Sequence, residues 1–385
     1  MVEVIEDTAG FERLREEWNE LLQASRSPCF FLTWEWLYTW WKHLAEGRKL
    51  LILAARSGRE LVAIAPLCIR PPMPGRLFPF RLLEFLGTGA VGSDYLDFII
   101  RRGREEEALL DLSKYLADGK LVLELAQLKK GSSFAANVAQ QLSRRDWSLS
   151  QLETDVCPFI PLSGLSWEDY VASLSPAHRY NFKRRLKNLT KRFEVRFEQA
   201  RTEAECGEAL GVLIALHERR WRSRGRRGAF HTPQLLSFHE EVSRRALERG
   251  WLRLFVLRLD GKPVASVYDF RYGHTFYFYQ SGFDPSYEKE SVGLVAMGLT
   301  IRTAIEEGAE EYDLLHGDES YKLQWACDRR ELSRLELYPP STRGLFYSQV
   351  MTWGRASRRA ARRLLGDDLA DRIVEGAGIG FWRAS

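Results

Sequence analysis

Two apolar hairpins of similar sequence, one in each half of the 385-residue chain, constrain its fold more than any other feature. Strand-like runs at 50–55 and 61–69 are joined by Ser-Gly-Arg, and runs at 251–259 and 264–272 are joined by Asp-Gly-Lys. Apolar runs linked by a glycine-containing turn are typical of β-hairpins. Helical and strand segments follow both hairpins in similar order, which indicates an internal duplication. We therefore predict two α/β halves of like design.

The overall composition indicates an ordinary globular chain. Apolar residues make up 45% and charged residues 28%, which excludes collagen-like, low-complexity and disordered classes. Every long apolar run is interrupted by charges, so we predict no transmembrane helix. The acidic N-terminus lacks the apolar core of a signal peptide, and we expect a cytoplasmic protein.

Cysteine and histidine spacing argues against a metal or a disulfide framework. The five cysteines are odd in number and include no CxxC pair, and the seven histidines do not cluster at ligand spacing. We therefore expect no protein-held metal. The five thiols are expected to be scattered buried residues.

A basic helix is predicted near the middle of the chain. Residues 173–192 hold seven Lys and Arg and no acid, although the whole chain carries a formal net charge of only +4. Ser175 suits the N-cap and Pro176 the first turn. This asymmetry favours a phosphorylated or nucleotide-linked ligand, or a nucleic acid, contacted by Arg179, Lys183 and Arg184. The alternative is a solvated helix face.

The second half also contains an arrangement suited to a pyrophosphate. A third strand at 275–280 leads into the loop 283–291, and a helix with Gly293 in its first turn then runs to Gly308. Free backbone N–H groups and the helix dipole bind anions at such a helix start. The candidate residues for binding a ligand that carries this pyrophosphate are Gln280, Tyr287, Ser291 and Gly293.

Several ordered sequence blocks carry a family resemblance. The blocks are at 175–185, 216–225, 282–294 and 312–325, with further matches at 31–36, 65–67 and 93–97. Together they resemble the double-domain GNAT acyltransferases associated with cellulose and exopolysaccharide biosynthesis. They are also similar to the Fem-type peptidyltransferases that extend peptidoglycan bridges. The resemblance covers roughly residues 10–340 and fades beyond them.

The resemblance implies a fold class of α/β (α+β) with two GNAT-like domains. Each domain would be a mixed, mostly antiparallel sheet flanked by helices. We place an N-terminal GNAT-like domain at 1–157, a C-terminal one at 158–340 and a basic helical extension at 341–385. The arginines of the extension could rest on an anionic membrane surface, pack on a second subunit or be solvated. The sequence leaves the oligomeric state open.

The implied activity is N-acyl transfer from acyl-CoA, with acetyl expected, to an amine of a sugar, a sugar nucleotide or a small metabolite. The loop departs from the GNAT pattern Q/R-x-x-G-x-G/A, since it offers only Gly293. One alternative is a Fem-like transferase that takes its donor from aminoacyl-tRNA and grips the RNA with the basic helix. Another is a non-catalytic binding module on the same fold.

Acyl transfer needs a polarised carbonyl and a proton for the leaving thiolate. The resemblance places the polarising backbone N–H near Tyr279 and Gln280 of the third strand. Lys322 matches a lysine that Fem-type proteins carry near the transfer site. The candidate catalytic residues are Lys322, Tyr279, His316 and Asp269, and the candidate substrate contacts, besides the three cations of the basic helix, are His217, Trp221 and Tyr321.

Two of these candidates have structural alternatives. Asp269 lies inside an apolar strand, where it is either paired with an arginine or acts as a general base with a raised pKa. His217 shares a helical stripe with Leu210 and Ile214, which is equally typical of a core histidine. A phenol could protonate the thiolate, and Tyr279, Tyr287 and Tyr321 all qualify.

Overall fold

A computed structural model describes residues 1–26, 28–71, 81–222, 228–342 and 344–353. Its strands are β1 Val2–Ile5, β2 Lys49–Ser57, β3 Glu60–Arg70, β4 Leu82–Phe85, β5 Ile99–Ile100, β6 Val122–Lys129, β7 Ser148–Pro161, β8 Val195–Gln199, β9 Leu252–Leu259, β10 Lys262–Tyr272, β11 Thr275–Phe283, β12 Glu311–Asp313 and β13 Asp328–Tyr338. Its helices are α1 Thr8–Arg13, α2 Arg15–Gln23, α3 Trp34–Leu44, α4 Glu105–Gly119, α5 Phe134–Ser143, α6 Trp167–Ser173, α7 Pro176–Arg192, α8 Glu203–Arg222, α9 Pro233–Glu248, α10 Val292–Glu306, α11 Ser320–Trp325 and α12 at 344–353.

The chain divides into two compact units. The first contains Met1–Ser27, Ala45–Thr154 and the residues from Ser333 onward, and the second contains Pro28–Leu44 and Asp155–Leu332. The domain boundaries given above, 1–157, 158–340 and 341–385, stay a prediction. The arginines at 355–363 in the proposed extension lie outside the described residues.

In the first unit the strand order is β1-β2-β3-β4-β6-β13, with β5 paired to β3. The β2–β3 hairpin is antiparallel, whereas β4 and β6 run parallel and pair only at Leu82–Val122 and Leu83–Leu123. Beyond that pairing, Arg70 bridges the carboxylates of Glu84 and Glu124 at 3.4 and 2.9 Å. All three side chains are buried. An ion-pair cluster therefore lies beside the point where the parallel strands stop pairing.

The second unit repeats this plan with the order β7-β12-β11-β10-β9-β8. The β9–β10 hairpin and the β10–β11 pair are antiparallel, whereas β11 and β12 run parallel. Helix α10 connects the two parallel strands, as α4 precedes β6 in the first unit. The predicted mixed, mostly antiparallel sheet flanked by helices is present in both units.

An early piece of the chain completes the core of the second unit. The Phe30 ring stacks on Phe270 of β10 at 4.0 Å, and Trp36 of α3 meets Phe238 of α9 edge-on at 5.0 Å. Outside this aromatic layer, Arg249 donates to the buried carboxylate of Glu35 at 2.8 Å. The segment Pro28–Leu44 is therefore a structural part of the second unit.

Two segments differ from what their sequence patterns indicate. Proline usually interrupts a strand, but Pro158 and Pro161 both lie within the fourteen-residue strand β7. The carbonyl of Pro158 accepts the N–H of Leu314 at 2.9 Å. The amphipathic pattern of residues 11–23 indicates one helix, but the structure divides it at Leu14 into α1 and α2.

Candidate functional site

The parallel strands of the second unit separate after three residue pairs. β11 and β12 pair from Thr275–Glu311 to Tyr277–Asp313, where β12 ends. β11 continues for six more residues to Phe283, and on that side they have no strand partner among the described residues. Backbone groups at a strand edge that no other strand covers can bind an extended chain.

β11 carries an irregularity at the same place. Its register with β10 shifts between the pairs Tyr268–Gln280 and Asp269–Phe278, so that Tyr279 is the extra residue. A bulge takes backbone groups out of the ladder and redirects a side chain. The resemblance implies a polarising N–H near Tyr279 and Gln280, and the bulge lies at these two residues.

The turn after β11 leaves the start of α10 without a side-chain cap. Pro285–Glu290 forms a short 3₁₀ turn that contains Tyr287, and Ser291 then adopts left-handed backbone with φ 57°. No side chain caps α10, and its first turn contains no acidic residue. A Cβ at Gly293 would lie 3.3 Å from the Phe283 ring, so this turn also packs closely on β11.

Cations surround this turn. Lys262 and Arg219 lie 3.5 and 3.4 Å from the buried carboxylate of Asp284. From the neighbouring helix α7, Arg185 donates to the carbonyl oxygen of Lys289 at 2.5 Å. The basic helix therefore reaches the turn, and positive charge accumulates where the α10 dipole is also positive.

The three predicted phosphate contacts of α7 have different surroundings. Arg179 donates to the carbonyl of Ala172 at the end of α6 at 2.9 Å. Arg184 lies over the exposed ring of Tyr180, 5.5 Å from its centroid, and Lys183 is exposed. The predicted cap and first turn are confirmed, since Ser175 accepts the N–H of His178 and Pro176 begins the helix. Arg179 stabilises a helix end, and Lys183 and Arg184 face solvent.

His217 is buried, and backbone groups bind both of its ring nitrogens. Its Nδ1 lies 3.1 Å from the carbonyl oxygen of Ser281, and its Nε2 accepts the N–H of Ala229 at 3.0 Å. Burial lowers the pKa of His217 to about 4, so the ring is neutral. A Cβ at Gly282 would lie 2.6 Å from the His217 backbone nitrogen. His217 thus fastens α8 to the end of β11, as the core alternative anticipated.

Tyr279 contacts a histidine that sequence reasoning missed. Its hydroxyl lies 3.4 Å from Nε2 of His239, which is 1% exposed. Burial lowers the pKa of His239 to about 3, and its Nδ1 has no hydrogen-bond partner among the described residues. Leu235, Phe238 and Val242 flank it on α9, so the sequence shows only an apolar stripe. The structure thus pairs a half-buried phenol with a neutral imidazole.

Asp269 belongs to a different part of the sheet. Its carboxyl group is fully buried and accepts the Tyr312 hydroxyl at 2.7 Å. Burial raises its pKa well above the usual range of a carboxylic acid. The Tyr312 hydroxyl also contacts the sulfur of Met297 on α10. Asp269 is therefore a buried carboxyl group of the core, bound to Tyr312, whereas Tyr279 contacts His239 of α9.

Lys322 is buried in α11 and holds the loop that follows β12. Its ammonium group contacts the carbonyl oxygens of Leu315 and His316 and the Glu319 carboxylate, the first at 3.5 Å and the last at 3.0 Å. Leu315 has left-handed backbone with φ 56°, and a Cβ at Gly317 would lie 2.3 Å from Glu319. His316 is half-buried in this loop. Lys322 therefore stabilises the loop that follows β12.

The remaining candidates lie between α8, α11 and the unpaired part of β11. The Tyr321 ring is 6.5 Å from that of Phe278, and burial raises the pKa of Tyr321. The Trp221 ring lies 5.8 Å from His217. Arg220, which the sequence analysis did not select, lies over Phe283 at 4.8 Å from the ring centroid. Gln280 uses its side-chain oxygen to accept the N–H of Ser281.

No group of three His, Cys, Asp or Glu side chains in the described part of the chain could hold a metal ion. No helix among these residues is long and apolar enough to cross a bilayer.

Comparisons with known proteins agree with this architecture. The family described as an acetyltransferase (GNAT) domain matches residues 176–323. The solved structure of FemX is similar with a TM-score of 0.60 at 12% identity, over 83% of this chain and 95% of that one. The C-terminal domain of a putative lysylphosphatidylglycerol synthetase from Agrobacterium fabrum gives 0.53 at 10% identity, over 89% and 96%. L-PGS from Bacillus licheniformis gives 0.52 at 10% identity, over 85% and 92%.

No curated protein matches the sequence. The structural neighbours show a double-domain GNAT fold of the Fem-like kind, as the resemblance implied. The matched domain indicates an N-acyltransferase. The connection to exopolysaccharide biosynthesis stays a prediction.

Proposed function

We propose that this protein transfers an acyl group from acyl-CoA to an amine, because residues 176–323 match the acetyltransferase (GNAT) domain family. The acceptor class is an amine of a sugar, a sugar nucleotide or a small metabolite, and acetyl is the expected acyl group. The observation that carries the proposal is the separation of β11 from β12 directly before an uncapped helix, α10. An extended thioester donor needs both an open strand edge and an anion site at its phosphate end.

The donor would bind along the unpaired part of β11. Its pyrophosphate oxygens would accept hydrogen bonds from the backbone N–H groups of Val292, Gly293 and Leu294. These groups lie at the start of α10, which no side chain caps. Lys262 and Arg219 would add positive charge, since both lie within 3.5 Å of Asp284 in the same turn. The loop lacks the glycines of the GNAT pattern Q/R-x-x-G-x-G/A. The left-handed turn at Ser291 serves the same purpose, because it leaves the backbone N–H groups at the helix start without a side-chain cap.

In the chemical step, the neutral amine nitrogen would attack the thioester carbonyl carbon. A backbone N–H at the Tyr279 bulge would stabilise the oxyanion. The C–S bond then breaks, the new C–N bond remains, and the thiolate takes a proton from the Tyr279 hydroxyl. The amine proton released by the attack restores the phenol, directly or through water. His239 would orient the phenol through the 3.4 Å contact without changing charge, because its pKa is about 3.

One observation favours the second candidate, a Fem-like transferase that uses aminoacyl-tRNA. Lys183, Lys187 and Lys191 repeat at helical spacing on the exposed side of α7, next to the Tyr180–Arg184 pair. Exposed cations beside a stacking aromatic are typical of RNA-binding surfaces. Under this alternative the reversal variant Lys183→Glu/Lys187→Glu would abolish turnover with a charged tRNA. Acetyl-CoA would not stabilise the protein.

The proposal is tested by placing a negative charge at the α10 start. Ser291 has left-handed backbone, which Asp and Asn both tolerate. In Ser291→Asp, a carboxylate beside the α10 start would repel the phosphates of the donor. We expect the stabilisation by acetyl-CoA to disappear. Ser291→Asn is the matched control, since it has the same size without the charge and should retain the stabilisation.

Two outcomes would contradict the proposal. In the first, acetyl-CoA and longer acyl-CoAs stabilise neither the wild type nor the Asn variant; in the second, they stabilise the Asp variant as strongly as the wild type. A melting screen with acyl-CoAs, nucleotide sugars and tRNA would in the same experiment separate the acyl-CoA, RNA and non-catalytic alternatives.

A further inference from the structure

Two side-chain contacts fix the place where β12 ends and stops pairing with β11. The last residue of β12 is Asp313, whose side chain is only 1% exposed. One oxygen of its carboxylate, Oδ1, accepts the N–H of Leu315 at 2.8 Å. The other oxygen, Oδ2, accepts a hydrogen bond from the Arg330 guanidinium at 2.9 Å. Both oxygens of this buried carboxylate are therefore bound at the end of the strand.

The hydrogen bonds of β12 show what the contact between Asp313 and Leu315 replaces. Successive N–H groups of a strand point alternately to its two neighbouring strands. The N–H of Leu314 donates to the carbonyl of Pro158 in β7. In a continued strand, the N–H of Leu315 would therefore point toward β11. It donates to the Asp313 side chain instead, so it does not extend the pairing with β11.

Leu315 has the backbone that this turn requires. Its φ is 56°, a left-handed conformation that is uncommon for residues other than Gly, Asn and Asp. Such a conformation persists only where the surrounding structure holds it. Asp313 binds the N–H of Leu315, and the ammonium group of Lys322 lies 3.5 Å from its carbonyl oxygen. Leu315 is therefore held through both of its backbone polar groups.

Arg330 of β13 orients the Asp313 side chain. Its guanidinium donates to the carboxylates of Asp313 and of Glu311, which lie two residues apart on β12. It also lies over the Phe159 ring of β7, 3.7 Å from the centroid. A planar guanidinium that is held by two carboxylates and a ring has a fixed direction. Arg330 thus holds Asp313 in the orientation in which Oδ1 meets the N–H of Leu315.

We propose that Asp313, oriented by Arg330, is a positioning residue that ends β12 and leaves the adjoining part of β11 free to bind an extended ligand. This ligand is the acyl-CoA donor, and the identification of the ligand rests on the proposed function. A purely structural ion pair would require a negative charge at position 313. A positioning role requires an oxygen that accepts the N–H of Leu315, with or without a charge.

The local role of Asp313 is tested by hydrogen exchange in the full-length protein without ligand. In Asp313→Ala, the amides of 314–317 should exchange at least about tenfold faster, because the N–H of Leu315 loses its acceptor. Asp313→Asn retains an oxygen for the same turn and should stay within about threefold of the wild type. Glu311→Gln is the matched control, since it weakens an ion pair of Arg330 without removing the Leu315 contact. The exchange of β9 in each variant reports global stability.

The functional role is tested by calorimetric titration with acetyl-CoA. Asp313→Ala should weaken binding at least about tenfold, because the pairing of β11 with the donor depends on where β12 ends. Asp313→Asn should recover most of the affinity, and Glu311→Gln should bind as the wild type does. If the wild type binds no acyl-CoA, the proposed function fails, and hydrogen exchange then decides whether Asp313 ends β12.

Two results would overturn the inference. In one, the amides of 314–317 exchange as fast in Asp313→Asn as in Asp313→Ala. In the other, Asp313→Ala binds acetyl-CoA as tightly as the wild type does. If Asp313→Ala does not fold, Asp313→Asn decides the question, because it must then match Glu311→Gln in both measurements.

Discussion

At the residue scale, burial changes the expected role of Lys322. From sequence it is a catalytic candidate, because it matches a lysine that Fem-type proteins carry near the transfer site. The ammonium group contacts two carbonyls and the Glu319 carboxylate, and only about 5% of Lys322 is exposed. Its hydrogen-bonding capacity is therefore directed at its own loop. Sequence identifies the residue type near the site but not the direction of its side chain.

We predict that Lys322→Ala lowers stability and turnover together. Each buried carbonyl left without its donor costs about 1–3 kcal/mol, which is several degrees of melting temperature. Lys322→Arg should not restore either property, because a bulkier guanidinium does not fit the same buried position. Lys114→Ala, at an exposed lysine of α4, is the control. Full stability of Lys322→Ala with a loss of turnover on the order of 10²-fold would instead support direct catalysis.

The buried histidines predict a pH dependence. The pKa of His217 is about 4 in the fold, mainly because of burial, and about 6.5 in the unfolded chain. The unfolded state therefore binds more protons between these values. The contribution of the neutral ring is complete above pH 6.5 and is lost as pH falls to 4. The loss by pH 5 is on the order of 2 kcal/mol.

This effect is measured as a difference between two proteins. Burial raises the pKa of Asp97 to about 7, and a buried acid of this kind changes stability with the opposite sign over the same range. The unfolding free energy of the wild type minus that of His217→Gln should therefore decrease from pH 7 to pH 5. A constant difference would show that His217 titrates normally.

At the element scale, local sequence patterns predicted some segments well and others poorly. Both hairpins and the α10 region follow from apolar runs bounded by glycine turns. β7 could not be found in this way, because its prolines are tolerated only through the partners that β12 supplies. His239 was missed for a related reason. An imidazole in an apolar stripe becomes part of a site only when β11 brings Tyr279 beside it.

The contact between α7 and α10 depends on one glycine. A Cβ at Gly298 would lie 2.2 Å from the Phe182 ring, so the two helices approach closely. We predict that Gly298→Ala destabilises the protein by about 1–3 kcal/mol, measured by urea unfolding. Phe182→Leu in the same chain should restore part of the loss. Gly211→Ala in α8 is the control and should be neutral or stabilising, because nothing lies within 4 Å of the added Cβ.

At the scale of the whole molecule, the two units share a strand order but differ at the start of the helix before the last parallel strand, α4 in the first unit and α10 in the second. In the first unit, Arg70 bridges the carboxylates of Glu84 and Glu124 beside the parallel strands. Helix α4 begins with three acids, Glu105, Glu106 and Glu107. Three carboxylates at a helix start already satisfy its dipole and repel phosphate. In the second unit, α10 begins without an acid. The sequence shows that the order of elements is duplicated. The difference between the two helix starts depends on which side chains lie together in the folded protein.

We therefore predict one donor site per chain. Calorimetric titration with acetyl-CoA should give a stoichiometry of one for the wild type. Ser291→Asp should remove all detectable binding, because the start of α4 offers no second anion site. Two sites in the wild type, or a full-strength site remaining in Ser291→Asp, would contradict this prediction.

The membership of Pro28–Leu44 in the second unit has a consequence for synthesis on the ribosome. Phe30 and Trp36 emerge early, but Phe270, on which both pack, is translated 240 residues after Phe30. At about 5–20 residues per second, the aromatic segment waits roughly 10–50 s for its partner. During that interval, three tryptophans of α3 lack the residues that bury them in the folded protein. The nascent chain should therefore depend on a chaperone that shields apolar segments, and slower translation of the second half should increase aggregation.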